Sequence, residues 1–182
     1  MITILYTGAS KFEEVQQNPA LSLGGYISSS EVPNGYIGNL FGSISKYTVF
    51  QNKQEVRILA IKNVGVSPLT NIRIYTTTAE GSSSSILLGA GDPVVDECGD
   101  LYTPHIKSPW ASPYNITFVT AEGFESSLPV GDLDPGDYFI LFLKRVLSQD
   151  LQTPPSDEEL LQSFEQPESN QVEDINLTVV WD

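Results

Sequence analysis

Short apolar runs separated by turn-forming residues dominate this sequence. Runs of this length with no sustained helical period, rich in β-branched residues, predict β-strands. The predicted strands are Ile2–Tyr6, Ile44–Phe50, Val56–Asn63, Asn71–Thr78, Ser85–Gly89, Asn115–Val119, Asp137–Leu147 and Asp174–Trp181. The pattern therefore predicts an all-β protein.

The strongest local signal is the pair of runs Val56–Asn63 and Asn71–Thr78. The loop between them contains Gly65, which can adopt positive φ, and Pro68, which cannot donate to a β-ladder. The chain is therefore expected to reverse here between two antiparallel strands. Such a pair with a short connection is typical of β-sandwiches.

Two later strands carry further information about their surroundings. Residues Tyr138–Leu143 are apolar on both faces, which indicates a central strand covered on both sides, and Asp134–Asp137 before them predicts a tight turn. In the last predicted strand Ile175, Leu177, Val179 and Trp181 share one face. These patterns support a layered β-domain.

Residues 7–43 show no clear period, and a loop of this length is unusual in a compact domain. The tract nevertheless carries large apolar side chains, among them Phe12, Tyr26, Tyr36 and Phe41. We expect residues 1–43 to form a first strand and an extended N-terminal arm that packs on a neighbouring subunit. Residues 44–182 are expected to form the β-domain.

Two insertions interrupt the predicted strands of that domain. Residues 90–113 are rich in proline and aromatic residues, including Tyr102 and Trp110. These aromatics, with Tyr114, suit either a sugar-binding platform or a protein interface, and the stiffening prolines favour the interface. Residues 151–173 are polar and acidic, and a capping-box pattern from Ser156 to Glu159 predicts a short helix there.

Charge and cysteine content narrow the class of protein. Nine basic and 23 acidic residues give a formal net charge of −14, which repels phosphate backbones and anionic lipid. Nucleic acid and membranes are therefore not expected partners. The single cysteine, Cys98, excludes an intrachain disulfide, and no apolar run is long enough to span a bilayer. We expect a soluble protein made in the cytosol.

No stretch of the sequence singles out an active site. Cys98 and His105 are the sole thiol and imidazole, and nothing marks the other groups that nucleophilic catalysis or a zinc site requires. Calcium is the remaining alternative, at the alternating carboxylates of residues 132–137 or the acidic cluster of residues 92–100. A plain turn is the favoured interpretation of residues 132–137. We expect no catalytic residue, metal or cofactor.

Three stretches together resemble a known group of proteins. Lys62–Thr76 resembles the B–C hairpin of adhesion-type immunoglobulin-like modules. Leu133–Asp150 resembles a late strand of tailed-phage virion proteins that ends in basic residues, here Lys144 and Arg145. Ser22–Ser45 resembles the N-terminal arm ahead of such modules in phage structural proteins, including those of crAss-like and podovirus-type phages.

The resemblance implies a non-enzymatic virion protein with an immunoglobulin-like β-sandwich. It would assemble in the host bacterial cytoplasm as a homo-oligomeric ring or connector in the neck or tail, against portal, neck or tail proteins. A capsid decoration protein and a host-glycan-binding adhesin are the alternatives. The residues expected at the interface are Phe12, Tyr26, Tyr36, Phe41, Tyr102 and Trp110.

Overall fold

The computed structural model describes residues 1–33, 40–41, 54–78, 84–147 and 175–182. Strands dominate these residues, which confirms the all-β prediction, and helical structure among them is limited to short 3-10 turns such as Pro19–Leu21 and Phe124–Ser126. The strands are β1 (Ile2–Ala9), β2 (Gly25–Glu31), β3 (Gln54–Asn63), β4 (Leu69–Thr78), β5 (Ser84–Gly91), β6 (Val94–Val95), β7 (Leu101–Thr103), β8 (Val119–Thr120), β9 (Leu128–Leu133), β10 (Tyr138–Leu147) and β11 (Ile175–Val180).

The strands form two antiparallel sheets. The large sheet has eight strands in the order β6-β7-β2-β1-β3-β10-β5-β8, and the small sheet has three in the order β11-β4-β9. The centre of the large sheet is the long pairing of β3 with β10, which runs in register from Tyr138 opposite Lys62 to Val146 opposite Gln54.

Side chains from both sheets meet in one hydrophobic cluster, here called the inter-sheet cluster. The large sheet contributes Leu59, Ile61 and Leu141, and the small sheet contributes Ile72 and Ile74, all almost completely buried. Burial of an aliphatic side chain of this size contributes about 1.5–3 kcal/mol. This shared cluster holds the two sheets together.

The opposite face of the large sheet is also buried, in a second group of side chains called the outer cluster. Ile58, Ala60 and Ile140 lie at its centre. No sheet covers this face in the described part of the chain; instead, residues 10–24 and 104–118 contribute the apolar side chains Phe12, Leu23, Ile106, Ala111, Ile116 and Phe118. Strand β10 is therefore covered on both sides, as its sequence predicts.

Backbone hydrogen bonds fasten both covering segments to β3. Strand β1 follows β3 only as far as Tyr6 opposite Leu59, so Ile58 and Val56 need other partners. Ile58 N–H donates to Ser22 O at 2.8 Å, and the Ser22 hydroxyl donates to Ile58 O at 2.7 Å. Val56 N–H donates to Pro109 O at 2.7 Å. The covering segments thus continue the hydrogen bonding that β1 leaves off.

An arm reaching a neighbouring subunit was expected over residues 7–43, but this does not hold for β2. This strand lies inside the large sheet between β7 and β1, and Ile27 is 0% exposed. The hydrophobic pattern of the sequence does not predict this strand, because two of its buried positions are the serines Ser28 and Ser30. The Ser28 hydroxyl accepts from Gln16 N–H and donates to Gln16 O, so hydrogen bonds replace the apolar alternation.

The predicted pairing of the runs 56–63 and 71–78 is also corrected. Strand β3 belongs to the large sheet and β4 to the small sheet, so residues 64–68 cross from one sheet to the other. Asn63, which is fully buried, fixes this crossing: its side-chain amide donates to Ser67 O at 2.9 Å and to Leu133 O at 3.0 Å. Its side-chain oxygen accepts from Gly65 N–H at 2.9 Å.

One predicted strand is largely wrong. Of residues 115–119, only Val119 pairs with a neighbouring strand, in β8. The preceding residues cross the outer cluster at Gly89, where a β-carbon would lie 2.6 Å from Ile116 Cγ2. The absence of a side chain at Gly89 lets the crossing segment approach the sheet closely.

The turn predicted at residues 134–137 is confirmed. Asp137 N–H donates to Asp134 O at 3.1 Å, and Gly136 adopts φ +88°. Pro135 followed by this glycine is the pattern of a type II turn. The predicted strand 44–50 and the predicted helix in residues 151–173 lie outside the described residues.

Replacing Asn63 by alanine removes three hydrogen bonds from the sheet crossing and leaves a buried carbonyl, Leu133 O, without that donor. We expect Asn63→Ala to lower the free energy of unfolding in urea by about 2–4 kcal/mol. The matched control is Asn176→Ala on the exposed face of β11, expected to change it by about 0.5 kcal/mol or less. Equal losses in the two variants would contradict the anchoring role.

Candidate functional site

The six aromatic residues predicted for an interface do not form one surface. Tyr36 lies outside the described residues. Phe12 packs edge-on against Tyr138, with ring centroids 6.2 Å apart, and joins the outer cluster. Trp110 is 44% exposed in the segment that covers the outer cluster. The remaining three residues divide between the protein interior and one edge of the large sheet.

Phe41 is the residue placed inside, which corrects its assignment to a subunit interface. It is 5% exposed in the inter-sheet cluster, so little of its ring is left for a neighbour. The guanidinium carbons of Arg145 and Arg57 lie 4.9 Å and 5.7 Å from the ring centroid. The adjacent Leu40 carbonyl accepts from Arg57 Nε at 2.7 Å.

A buried carboxylate links the two arginines beside Phe41. Glu55 Oε1 accepts from Arg57 Nη2, and Glu55 Oε2 accepts from Arg145 Nη2, both at 2.5 Å. Burial lowers the pKa of Arg57, and the charge and hydrogen bond of Glu55 counteract that effect. A buried group of one carboxylate and two guanidiniums is costly to desolvate and depends on the pairing of its charges. Because Arg57 also donates to Leu40 O and both guanidiniums lie near the Phe41 ring, we expect this group to anchor residues 40–41.

Tyr26 and Tyr102 are brought together at the β6 end of the large sheet. Register places Val94 of β6 opposite Tyr102 of β7, and Tyr102 opposite Tyr26 of β2. The two tyrosine rings meet edge-on, with centroids 6.1 Å apart and planes at 62°. Opposed residues share a face of a sheet, so these three side chains form a continuous row. No local pattern in the sequence reports this cross-strand contact.

The loop between β6 and β7 is organised around Asp96. Its carboxylate accepts from Cys98 N–H at 2.8 Å, from Asp100 N–H at 2.9 Å and from the Tyr26 hydroxyl at 2.8 Å. The backbone hydrogen bond from Asp100, followed by that from Tyr26, lowers the pKa of Asp96. The same bond to Asp96, together with its negative charge, raises the pKa of Tyr26.

This arrangement bears on the calcium alternative. Among the residues that the structure describes, no group of three or more His, Cys, Asp or Glu side chains is placed to hold a metal ion. The carboxylate of Asp96 accepts hydrogen bonds from its own loop and from Tyr26. In the other predicted cluster, Asp132 Oδ1 accepts a hydrogen bond from Asn71 N–H at 3.0 Å. Both predicted clusters therefore contain carboxylates with structural hydrogen bonds.

The outermost strand beyond this row presents an edge to its surroundings. Val94 is 41% and Val95 59% exposed. The backbone N–H of Asp96 donates to Asp100 O. In an antiparallel ladder every second residue bonds to the neighbouring strand, so Val94 also bonds to Tyr102. The N–H and C=O of Val95, which lies between them, point away from β7. We call the surface formed by Val94, Val95, Tyr26, Tyr102 and the exposed acidic residues Asp92 and Glu97 the β6 edge.

Comparisons with known proteins add no relative. A scan of the chain against protein-family models, a search of curated proteins and a search of solved structures each found no match. Within the described ranges, no helix has the length and apolar character needed to cross a membrane.

The Tyr26–Asp96 contact predicts a shifted tyrosine titration. Tyr26 is expected to ionise above its ordinary pKa of 10.0, so the contribution of the neutral phenol to loop order is present below pH 10 and lost as pH rises through the shifted pKa. The tyrosine ¹³Cζ resonances report this directly. Asp96→Asn should move the Tyr26 pKa back toward 10.0, whereas Glu97→Gln, the same charge change in the same loop, should leave it in place. An unmoved titration in Asp96→Asn would rule out the contact.

The buried group around Glu55 predicts a large stability effect. Glu55→Gln removes the carboxylate that pairs with the buried guanidiniums of Arg57 and Arg145, and we expect the free energy of unfolding to fall by about 3–5 kcal/mol. Glu122→Gln makes the same chemical change at an exposed position and should alter stability by about 0.5 kcal/mol or less. Urea denaturation of both variants measures the difference. A loss in Glu55→Gln no larger than in its control would show that the group does not hold residues 40–41.

Proposed function

We propose that this chain is a non-enzymatic structural component of a phage virion, placed in the neck or tail as part of a ring or connector. The virion assignment is supported by the resemblance of residues 22–45, 62–76 and 133–150 to phage structural proteins. The proposed mode of action is contact between proteins rather than chemistry on a substrate.

The observation that carries the contact-based role is the β6 edge. A row of two tyrosines and a valine ends at a strand with outward-pointing backbone groups, and tyrosine is enriched in protein interfaces. The loop beside it is held in shape by the hydrogen bonds of Asp96. A surface ordered before binding loses less conformational entropy when a partner arrives.

An immunoglobulin-like sandwich is the proposed finer description of the fold. Two antiparallel sheets that share a core, with the chain crossing between them from β3 to β4, are what such a sandwich requires. The extra strands β6, β7 and β2 would then be additions to one sheet that create the interaction edge.

A glycan-binding adhesin is the second candidate, because two aromatic residues are exposed in the 104–118 segment. Trp110 is 44% and Tyr114 88% exposed, and the carbonyl of Pro109, the residue before Trp110, accepts a hydrogen bond from Val56 N–H of β3. Aromatic side chains of this kind are the residue type that contacts sugar rings. This function predicts binding of oligosaccharide by the isolated chain, with loss of binding in Trp110→Ala.

Reconstitution with particles tests the proposal. The purified chain is mixed with particles of the phage that encodes it, and bound chain is counted by quantitative mass spectrometry after sedimentation. We expect a small fixed copy number per particle, as a ring or connector requires. A copy number that follows the number of capsid subunits would instead indicate a decoration protein. A chain that does not bind particles but binds oligosaccharide through Trp110 would contradict a virion structural role and support the adhesin.

A further inference from the structure

We propose that the β6 edge binds an extended, basic segment of a partner protein, which adds a strand to the large sheet beside β6. This inference rests on the proposed assembly function and names the chemistry of the partner. The reasoning starts from the backbone at this edge, continues with its side chains and ends with its charge.

The backbone of β6 has hydrogen-bonding groups available for one more strand. Val95 directs its N–H and C=O away from β7, because Val94 and Asp96 are the residues of β6 and its turn that bond inward. Pro93 lacks an N–H and so limits how far a new ladder can extend toward the N-terminus. An incoming strand would therefore pair around Val95 in a short, defined register.

Side chains beside this backbone offer apolar contact to the same strand. Val95 is 59% exposed, and the exposed part of Val94 continues the row that leads to Tyr102 and Tyr26. A new strand beside β6 would place alternate side chains against this row. A partner segment with apolar residues at every second position fits this face.

Charge determines which kind of partner this is. No lysine or arginine occurs between Arg73 and Lys107, while Asp92, Asp96, Glu97 and Asp100 flank or follow β6. The negative field at the edge attracts basic residues, and Asp92 and Glu97 are exposed to pair with them. In a segment that alternates apolar and basic residues, the apolar side chains would contact the row of Val94, Tyr102 and Tyr26, and the basic side chains would pair with the acidic residues.

The same charge argues against a second copy of this chain as the occupant. Two copies meeting edge to edge would bring their acidic residues together, and each chain carries a formal net charge of −14. Charged and very short edge strands protect a protein from pairing with itself. Electrostatic repulsion at the β6 edge therefore disfavours a second copy of this chain and favours a basic partner.

The test uses the full chain and two synthetic peptides of equal charge. One alternates lysine and valine; the other is identical except that proline replaces its central valine, which interrupts strand pairing. Binding is measured by fluorescence anisotropy at low and high salt, with amide chemical shifts to locate the contact. We expect the alternating peptide to bind about tenfold or more tightly than the proline peptide, to shift residues 93–102, and to weaken with salt.

Matched variants separate strand addition from simple charge attraction. Val95→Pro removes the outward N–H without changing charge, and it should weaken the alternating peptide about tenfold or more. Val95→Thr keeps both the N–H and the shape and should bind within about threefold of the unmodified chain. Asp92→Asn with Glu97→Gln should weaken binding, whereas Glu122→Gln with Glu125→Gln should not. An unchanged Tyr26 titration in each variant checks that the edge is intact.

Several results would overturn the inference. Equal affinity for the two peptides, or unchanged binding by Val95→Pro, would show that only charge attracts the peptide. A dimer that forms without peptide and is lost in Val95→Pro would identify a second copy as the occupant.

Particle binding separates this inference from the proposed function. If Val95→Pro loses the peptide but still joins particles in the normal number, the edge is not the assembly contact and the proposed function stands. If the chain binds the peptide at β6 but never joins particles, the edge stands and the proposed function falls.

Discussion

The pairing of β3 with β10 in the centre of the large sheet, buried on both faces, is the constraint on which the other elements depend. One face of these strands packs on the small sheet through the inter-sheet cluster. The other face would expose Ile58, Ala60 and Ile140 if nothing covered it. An apolar sheet face of this kind is stable in water only when another layer removes it from solvent. Segments without regular structure supply that layer here.

Polar groups decide how the irregular cover is attached. Where β1 stops following β3, Ser22 supplies both a carbonyl and a hydroxyl to Ile58. The hydroxyl of Thr7 also donates to Ile58 O at 2.7 Å, so short polar side chains satisfy the buried backbone groups where this ladder ends. Buried hydrogen bonds of this kind fix position, since each group left unpaired would cost free energy. The cover is therefore held in one register rather than merely collapsed onto the sheet.

The proposed function depends on what this arrangement leaves at the edge of the large sheet. Residues 90–103 build β6 and β7 beyond β2, and the chain after them returns to cover the outer cluster at Ile106. One stretch of chain thus forms the end of the large sheet and then covers the core. Asp96 orders this end of the sheet, because it shapes the β6–β7 turn and accepts a hydrogen bond from the Tyr26 hydroxyl. Assembly contacts at this edge would therefore be made by a surface whose loop is already held by hydrogen bonds.

The sequence by itself determined the all-β class, the turn at residues 134–137 and the acidic character of residues 92–100. It also determined those strands in which the buried positions carry apolar side chains. Only the tertiary structure placed β2 in the sheet, because its buried positions include Ser28 and Ser30, which carry no hydrophobic signal. It also sent β3 and β4 to different sheets and set Tyr26 beside Tyr102. Hydropathy along a chain reports which residues avoid water, whereas hydrogen-bonded serines and contacts between distant strands are decided by the partners that folding brings to them.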